Sequence, residues 1–202
     1  MPSLFVILAR ERNTAIIIRR GPSKWYHLIR WDTNDDVFEH GAWIKGRIYE
    51  EKCDLSPDGR YFLYFFLPGT RIDDPTLGTC WTAISRAPWM YALTLWPENT
   101  TYGGGGRFID NFNVSLGGYR TMPHPNFPQG RIQLQDCPAP LHESSGEIPG
   151  SDWCGRDQQD RLIYTRGGKL YRVEDKSEKL VADFSDLTPN PQEAPDWAKE
   201  PI

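Results

Sequence analysis

Apolar and polar positions alternate in short runs along most of the chain, with turn residues between the runs. Residues 4–9 and 14–20 are apolar and flank the polar triplet Glu11-Arg12-Asn13, the pattern of a hairpin. Residues 25–32 follow a Gly-Pro-Ser-Lys turn. At a two-residue period, Trp25, His27, Ile29 and Trp31 share one face, and Tyr26, Leu28 and Arg30 share the other. Large apolar groups on both faces predict a strand that is covered on both sides. The segment 32–36 is a polar turn, and Val37-Phe38-Glu39 opens the next strand. Residues 47–54 are a further strand candidate, followed by the turn Ser56-Pro57-Asp58-Gly59, where Pro presets φ and Gly accepts positive φ. Residues 61–67 are continuously apolar and aromatic, as in a central strand. Beyond a polar loop at 68–79, strands are predicted at 80–86, at 90–96 with Pro97 as its stop, and at 107–116. No stretch holds a 3.6-residue period over three turns, so the fold class is all-β.

The pattern then changes. Residues 117–160 are rich in Pro, Gly and Ser, and only 131–134 looks like a strand, which reads as a long irregular insertion. A hairpin returns at 161–184 around Gly167-Gly168. The tail 188–202 is Pro-rich and acidic, either disordered or draped over the surface. The expected organisation is one all-β domain over 1–187, with an insertion at 117–160, and a tail.

One hairpin unit appears three times: 15–20 with 25–32, 53–60 with 61–66, and 161–166 with 169–174. The run Asp54-Leu55-Ser56-Pro57-Asp58-Gly59-Arg60-Tyr61-Phe62-Leu63-Tyr64 resembles the blade motif of TolB-like and WD-repeat β-propellers, in which such a turn joins two strands of a blade. Trp31-Asp32 is similar to the dipeptide that names WD repeats, although the Gly-His that opens such a repeat is absent. Bacterial proteins built of such blades have the same general look. The resemblance implies a small propeller-like assembly of antiparallel hairpins and carries no activity with it. Blades of about 40–45 residues would give four or five in this chain, and 117–160 interrupts their spacing. The alternative is a twisted antiparallel sheet or sandwich without ring closure.

The 202 residues suffice for one domain with a sizeable core. An aromatic fraction of 13% favours strands and binding surfaces alike. The net charge of -4, with no basic cluster beyond pairs such as Arg19-Arg20, disfavours a nucleic-acid partner. The first apolar run has six residues and no basic segment before it, which is too short for a signal-peptide core or a membrane span. A cytoplasmic protein with Cys53, Cys80, Cys137 and Cys154 as thiols is therefore expected.

Candidate chemistry is sparse. Asp32, Asp35, Asp36, Glu39 and His40 could form a cation site or an acid/base pair, but they lack the EF-hand alternation and read better as a solvated turn. His124, Cys137, His142 and Cys154 are of the right type for zinc, yet their spacings of 13, 5 and 12 lack the close pair of a structural site. No metal or cofactor is expected. The four glycines at 103–106 precede a strand rather than a phosphate-binding helix, so they suit a tight turn or a close backbone approach. No nucleophile elbow or His-Glu-x-x-His is present. The aromatic segment is the most suggestive: Trp81, Trp89 and Tyr91 lie beside Arg86, with Trp43 elsewhere, and Trp89 in the turn is the first choice for an exposed residue. The leading expectation is a non-catalytic protein-protein interaction module of adaptor or immunity type, with another protein as partner and no membrane. The alternatives are a small hydrolase using clustered carboxylates or a metal, and a glycan-binding module with coplanar exposed Trp faces.

Overall fold

The computed structural model describes residues 1–70, 74–118, 122–136, 148–175 and 177–202. β1 (Ser3–Leu8), β2 (Thr14–Arg20), β3 (Trp25–Asp32) and β4 (Val37–Ile48) form an antiparallel meander. A single turn of 3-10 helix, Glu50–Lys52, leads to β5 (Asp54–Leu55), β6 (Tyr61–Pro68), β7 (Cys80–Arg86) and β8 (Thr94–Glu98). β4 joins the two groups. Its first part pairs with β3, and Gly46, Arg47 and Ile48 pair with β6, so one hydrogen-bonded path runs from β1 to β8.

The sheet curls, and its two halves enclose a core on the inner face. Ile16, Ile18, Tyr26 and Leu28 meet Ile48, Phe62, Tyr64, Phe66 and Ala83 there. The alternate residues point outward into two further cores. Tyr61, Leu63, Ile84 and Trp96 pack against Phe108 and Val114 of a small sheet made of β9 (Gly106–Phe108), β10 (Asn113–Leu116) and β11 (Gln133–Leu134). Leu4, Val6, Ala15, Ile17, Ile29 and Trp31 pack against Trp153, Ile163 and Leu170 of the sheet formed by β12 (Trp153–Arg156), β13 (Leu162–Arg166), β14 (Lys169–Glu174) and β15 (Ser177–Asp183). The inner strands are thus apolar on both faces, as the two-residue period of β3 predicts. Each fully buried large side chain contributes about 1.5–3 kcal/mol.

The all-β class stands, in its form without ring closure. The hairpins around Gly21-Pro22, Ser56-Pro57-Asp58-Gly59 and Gly167-Gly168 are present, but the first two lie in one continuous sheet rather than in separate blades. Several expected boundaries move for local reasons. The candidate strand at 47–54 is interrupted where Lys52 N–H bonds Tyr49 O and Cys53 N–H bonds Glu50 O. Pro97 lies inside β8 opposite Trp81, which an outer strand tolerates because the missing donor is not needed on its free side. The strand expected at 107–116 is two strands, because Asp110 accepts from Phe112 N–H and Asn113 N–H and turns the chain. The segment 117–160 supplies both β11 and β12.

The tail is draped over the surface. Its short helix α1 (Asp196–Lys199) buries Ala198 completely, and Ile202 packs against the core around Phe108. Among the described residues, no helix is long and apolar enough to cross a membrane.

Candidate functional site

Two aromatic clusters lie on either side of one backbone contact. Ala42 N–H donates to Pro88 O (3.0 Å), which seats the turn after β7 on β4. Gly41 makes this possible, since a Cβ there would lie 2.1 Å from the same oxygen. The Ala42 carbonyl in turn accepts from His27 Nδ1 (3.1 Å).

The first cluster surrounds His27. The Trp43 ring stacks on it at 4.3 Å and 7°, and Trp25 meets Trp43 edge-on at 6.5 Å. The Arg19 guanidinium lies 5.6 Å from the Trp43 ring centre. Because a carbonyl can only accept, His27 carries its proton on Nδ1. Its Nε2 then accepts from His40 Nδ1 (2.9 Å), leaving His40 Nε2 unprotonated at a shallow pocket of about 430 Å³. Burial lowers His27 to about 4 and lowers His40 as well, so both rings are neutral at pH 7. Arg19 is 1% exposed and binds the carbonyls of Gly21, Phe184, Ser185 and Leu187, which clamps the chain after β15 over β2.

The second cluster lies where the tail meets β7. Arg86 donates to the carbonyls of Glu200 (3.4 Å) and Pro201 (3.2 Å), and its guanidinium stands over Tyr61. Tyr91 is 43% exposed and within electrostatic reach of Lys199 in α1. Trp197, from the same helix, is also 43% exposed. Trp89 is half-buried and its Nε1 is enclosed without a partner, so Tyr91, not Trp89, is the exposed aromatic of the turn. Trp81 belongs to neither cluster: it packs on Phe66 at 5.5 Å beside the inner core. Trp197 escapes the sequence reading because it sits in a segment with no strand or helix periodicity. The only signal for it there is a large apolar residue among acidic and prolyl ones.

The acidic turn has structural roles. Asp32 accepts from Asn34 N–H and Asp35 N–H, and Asn34 Nδ2 donates to Asp35. Asp36 receives two bonds from Arg172 (2.9 and 2.7 Å) and one from Trp31 Nε1 (3.1 Å). Burial pushes the Asp36 carboxyl up, and the Arg172 bonds outweigh it and hold it below its ordinary value. The ion pair ties the first half of the curled sheet to the outer sheet of β12–β15.

Of the zinc candidates, His124 and Cys154 are described, while Cys137 and His142 lie outside the described residues. His124 Nδ1 accepts from Asn126 N–H (3.2 Å), which puts its proton on Nε2, facing Thr76 Oγ1 (2.7 Å). Protonated at Nε2, this imidazole cannot activate the Thr76 hydroxyl as a base. Cys154 is buried opposite Tyr164 in β13. Among the described residues, no group of three His, Cys, Asp or Glu side chains converges on a metal position. The glycine run makes a close approach rather than an anion cradle. Gly104 has φ +78°, a Cβ there would meet the Phe65 ring at 2.2 Å, and Lys52 Nζ binds the carbonyls of Thr101, Tyr102 and Gly103.

Comparison with protein-family models, curated proteins and solved structures found no match for this chain.

Proposed function

We propose that the protein is a protein-protein interaction module that binds its partner through the face where α1 meets the turn after β7. The observation that carries this reading is the exposure of two aromatics, Tyr91 in the turn after β7 and Trp197 in α1, on a packed scaffold with Arg86 between turn and tail. Lys199 of α1 is itself ion-paired to Glu193 (2.5 Å). Aromatic and arginine side chains on a pre-ordered surface are the usual centres of protein binding, because little side-chain entropy is lost on contact. Arg86 is already held by two backbone carbonyls, so its guanidinium needs no reorganisation.

The hydrolase reading has less support. Its carboxylates cap a turn or pair with Arg172, and His40 donates to His27. The glycan reading has less as well, since Trp25 and Trp43 stand at 76° to each other and one Trp43 face is occupied by His27.

The test is affinity capture from source-cell lysate with the wild-type chain and with Tyr91→Ala/Trp197→Ala. A stoichiometric protein retained by the first and lost by the second supports the reading. Equal retention by both chains overturns the assigned face.

A further inference from the structure

A second surface has a different chemistry. A cleft of about 220 Å³ opens where the ends of β2, β4 and β6 meet the turn before β3. Arg20, Lys24 and Arg47 line it, together with the Ser23 side, the Tyr26 ring and Leu67. Among the described residues, no carboxylate lines it. The nearby Glu50 carboxyl acts on Arg20 and Arg47 through space, without an ion pair to either. Among the described residues, three cations against the half-buried Glu50 leave a surplus of two positive charges, in a protein whose net charge is -4.

The cations are held by backbone that is already fixed. Arg20 ends β2 opposite Tyr26, Arg47 sits in the β4 segment opposite Leu67, and its guanidinium lies 4.9 Å from the Tyr49 ring centre. The turn bearing Lys24 is tied to β4 by the bond from Gly46 N–H to Lys24 O (2.9 Å).

We infer that this cleft binds a phosphate monoester carrying a small apolar body. The phosphate, with about 1.5 to 2 negative charges at pH 7, matches the surplus, and arginine forks suit its oxygens. A carboxylate would neutralise only half of it. The cleft is wider than a bare phosphate, and Tyr26 and Leu67 give the remaining volume an apolar wall. The inference does not depend on the protein-binding face, since it uses none of that face's residues.

The experiment is an NMR titration of the full chain with phenyl phosphate, reading the backbone amides of Arg20, Ser23, Lys24 and Arg47. Saturable shifts at these amides are expected, with inorganic phosphate and benzoate both binding more weakly. Arg20→Gln/Arg47→Gln weakens phenyl phosphate by about tenfold or more, the scale of lost charge-assisted bonds. Should the double variant unfold, Lys24→Gln in the exposed turn reads the same effect at several-fold. No saturation up to millimolar concentration, unchanged affinity in folded variants, or benzoate binding as tightly as phenyl phosphate would each overturn the assignment.

Discussion

Arg19 and His27 show how single buried polar groups organise this protein. Both sit among buried apolar residues of their strands, and both donate to backbone oxygen instead of a carboxylate. Arg19→Met strips donors from the carbonyls of Gly21, Phe184, Ser185 and Leu187, so we expect a loss of about 2–4 kcal/mol in urea unfolding. His27 titrates at about 4 against an ordinary 6.5, because burial disfavours its charged form. The unfolded state therefore binds more protons between these values, and stability falls as pH drops from 6.5 to 4, then levels with respect to this group. The expected loss is about 2–4 kcal/mol. Unfolding curves taken across that window show this slope in the wild type and a flattened one in His27→Gln. Asp36 and Asp183 act in the same sense, in a lower pH window. Their depressed carboxyls, Asp183 at about 2 with Ser185 and Lys169 as partners, contribute stability that is lost as pH falls below 3.8.

Among the elements, β4 decides the architecture. It passes from one half of the sheet to the other, and at Gly41-Ala42 it receives the turn after β7. Gly41→Ala puts a methyl group onto the Pro88 carbonyl and forces the turn off the strand. We expect a loss of about 1–3 kcal/mol by thermal or denaturant unfolding, with the largest amide shifts at 86–91. The strand order up to β3 was legible because both faces of β3 carry large apolar groups, and β6 was legible as a continuous aromatic run. β4 was not, because its first part, Val37-Phe38-Glu39-His40, reads as a separate short strand and the point where it changes partner, at Gly46, carries no proline. β12 was missed because Trp-Cys-Gly-Arg is too short to show alternation. The candidate site was legible in part. Arg86 and Tyr91 stand at the proposed face and Trp89 lies beside them, whereas Trp81 and Trp43 are held by Phe66 and His27. Tertiary contact decided each of those cases.

At the scale of the molecule, the propeller-like motif and the open sheet share the same local hairpins and differ only in what the hairpins pair with. Here the outer sheet of β12–β15 covers the first strands and is fastened to them by Asp36–Arg172. Arg172 is 2% exposed, so Asp36→Asn leaves a buried cation with only the longer contact to Glu174 (3.8 Å). A loss of about 3–5 kcal/mol is expected, and Asp36→Asn/Arg172→Met recovers part of it, measured as a double-mutant cycle in urea. The same packing fixes the tail: Ala198 and Ile202 anchor it, and Trp197 and Tyr91 are left facing outward. The claim that this face binds a protein is tested most directly by titrating the purified captured partner against the wild type, Tyr91→Ala/Trp197→Ala and the exposed control Tyr102→Ala. A loss of about tenfold or more is expected for the double variant, the scale of lost aromatic anchors, and none for the control. Equal affinity for all three chains would contradict it.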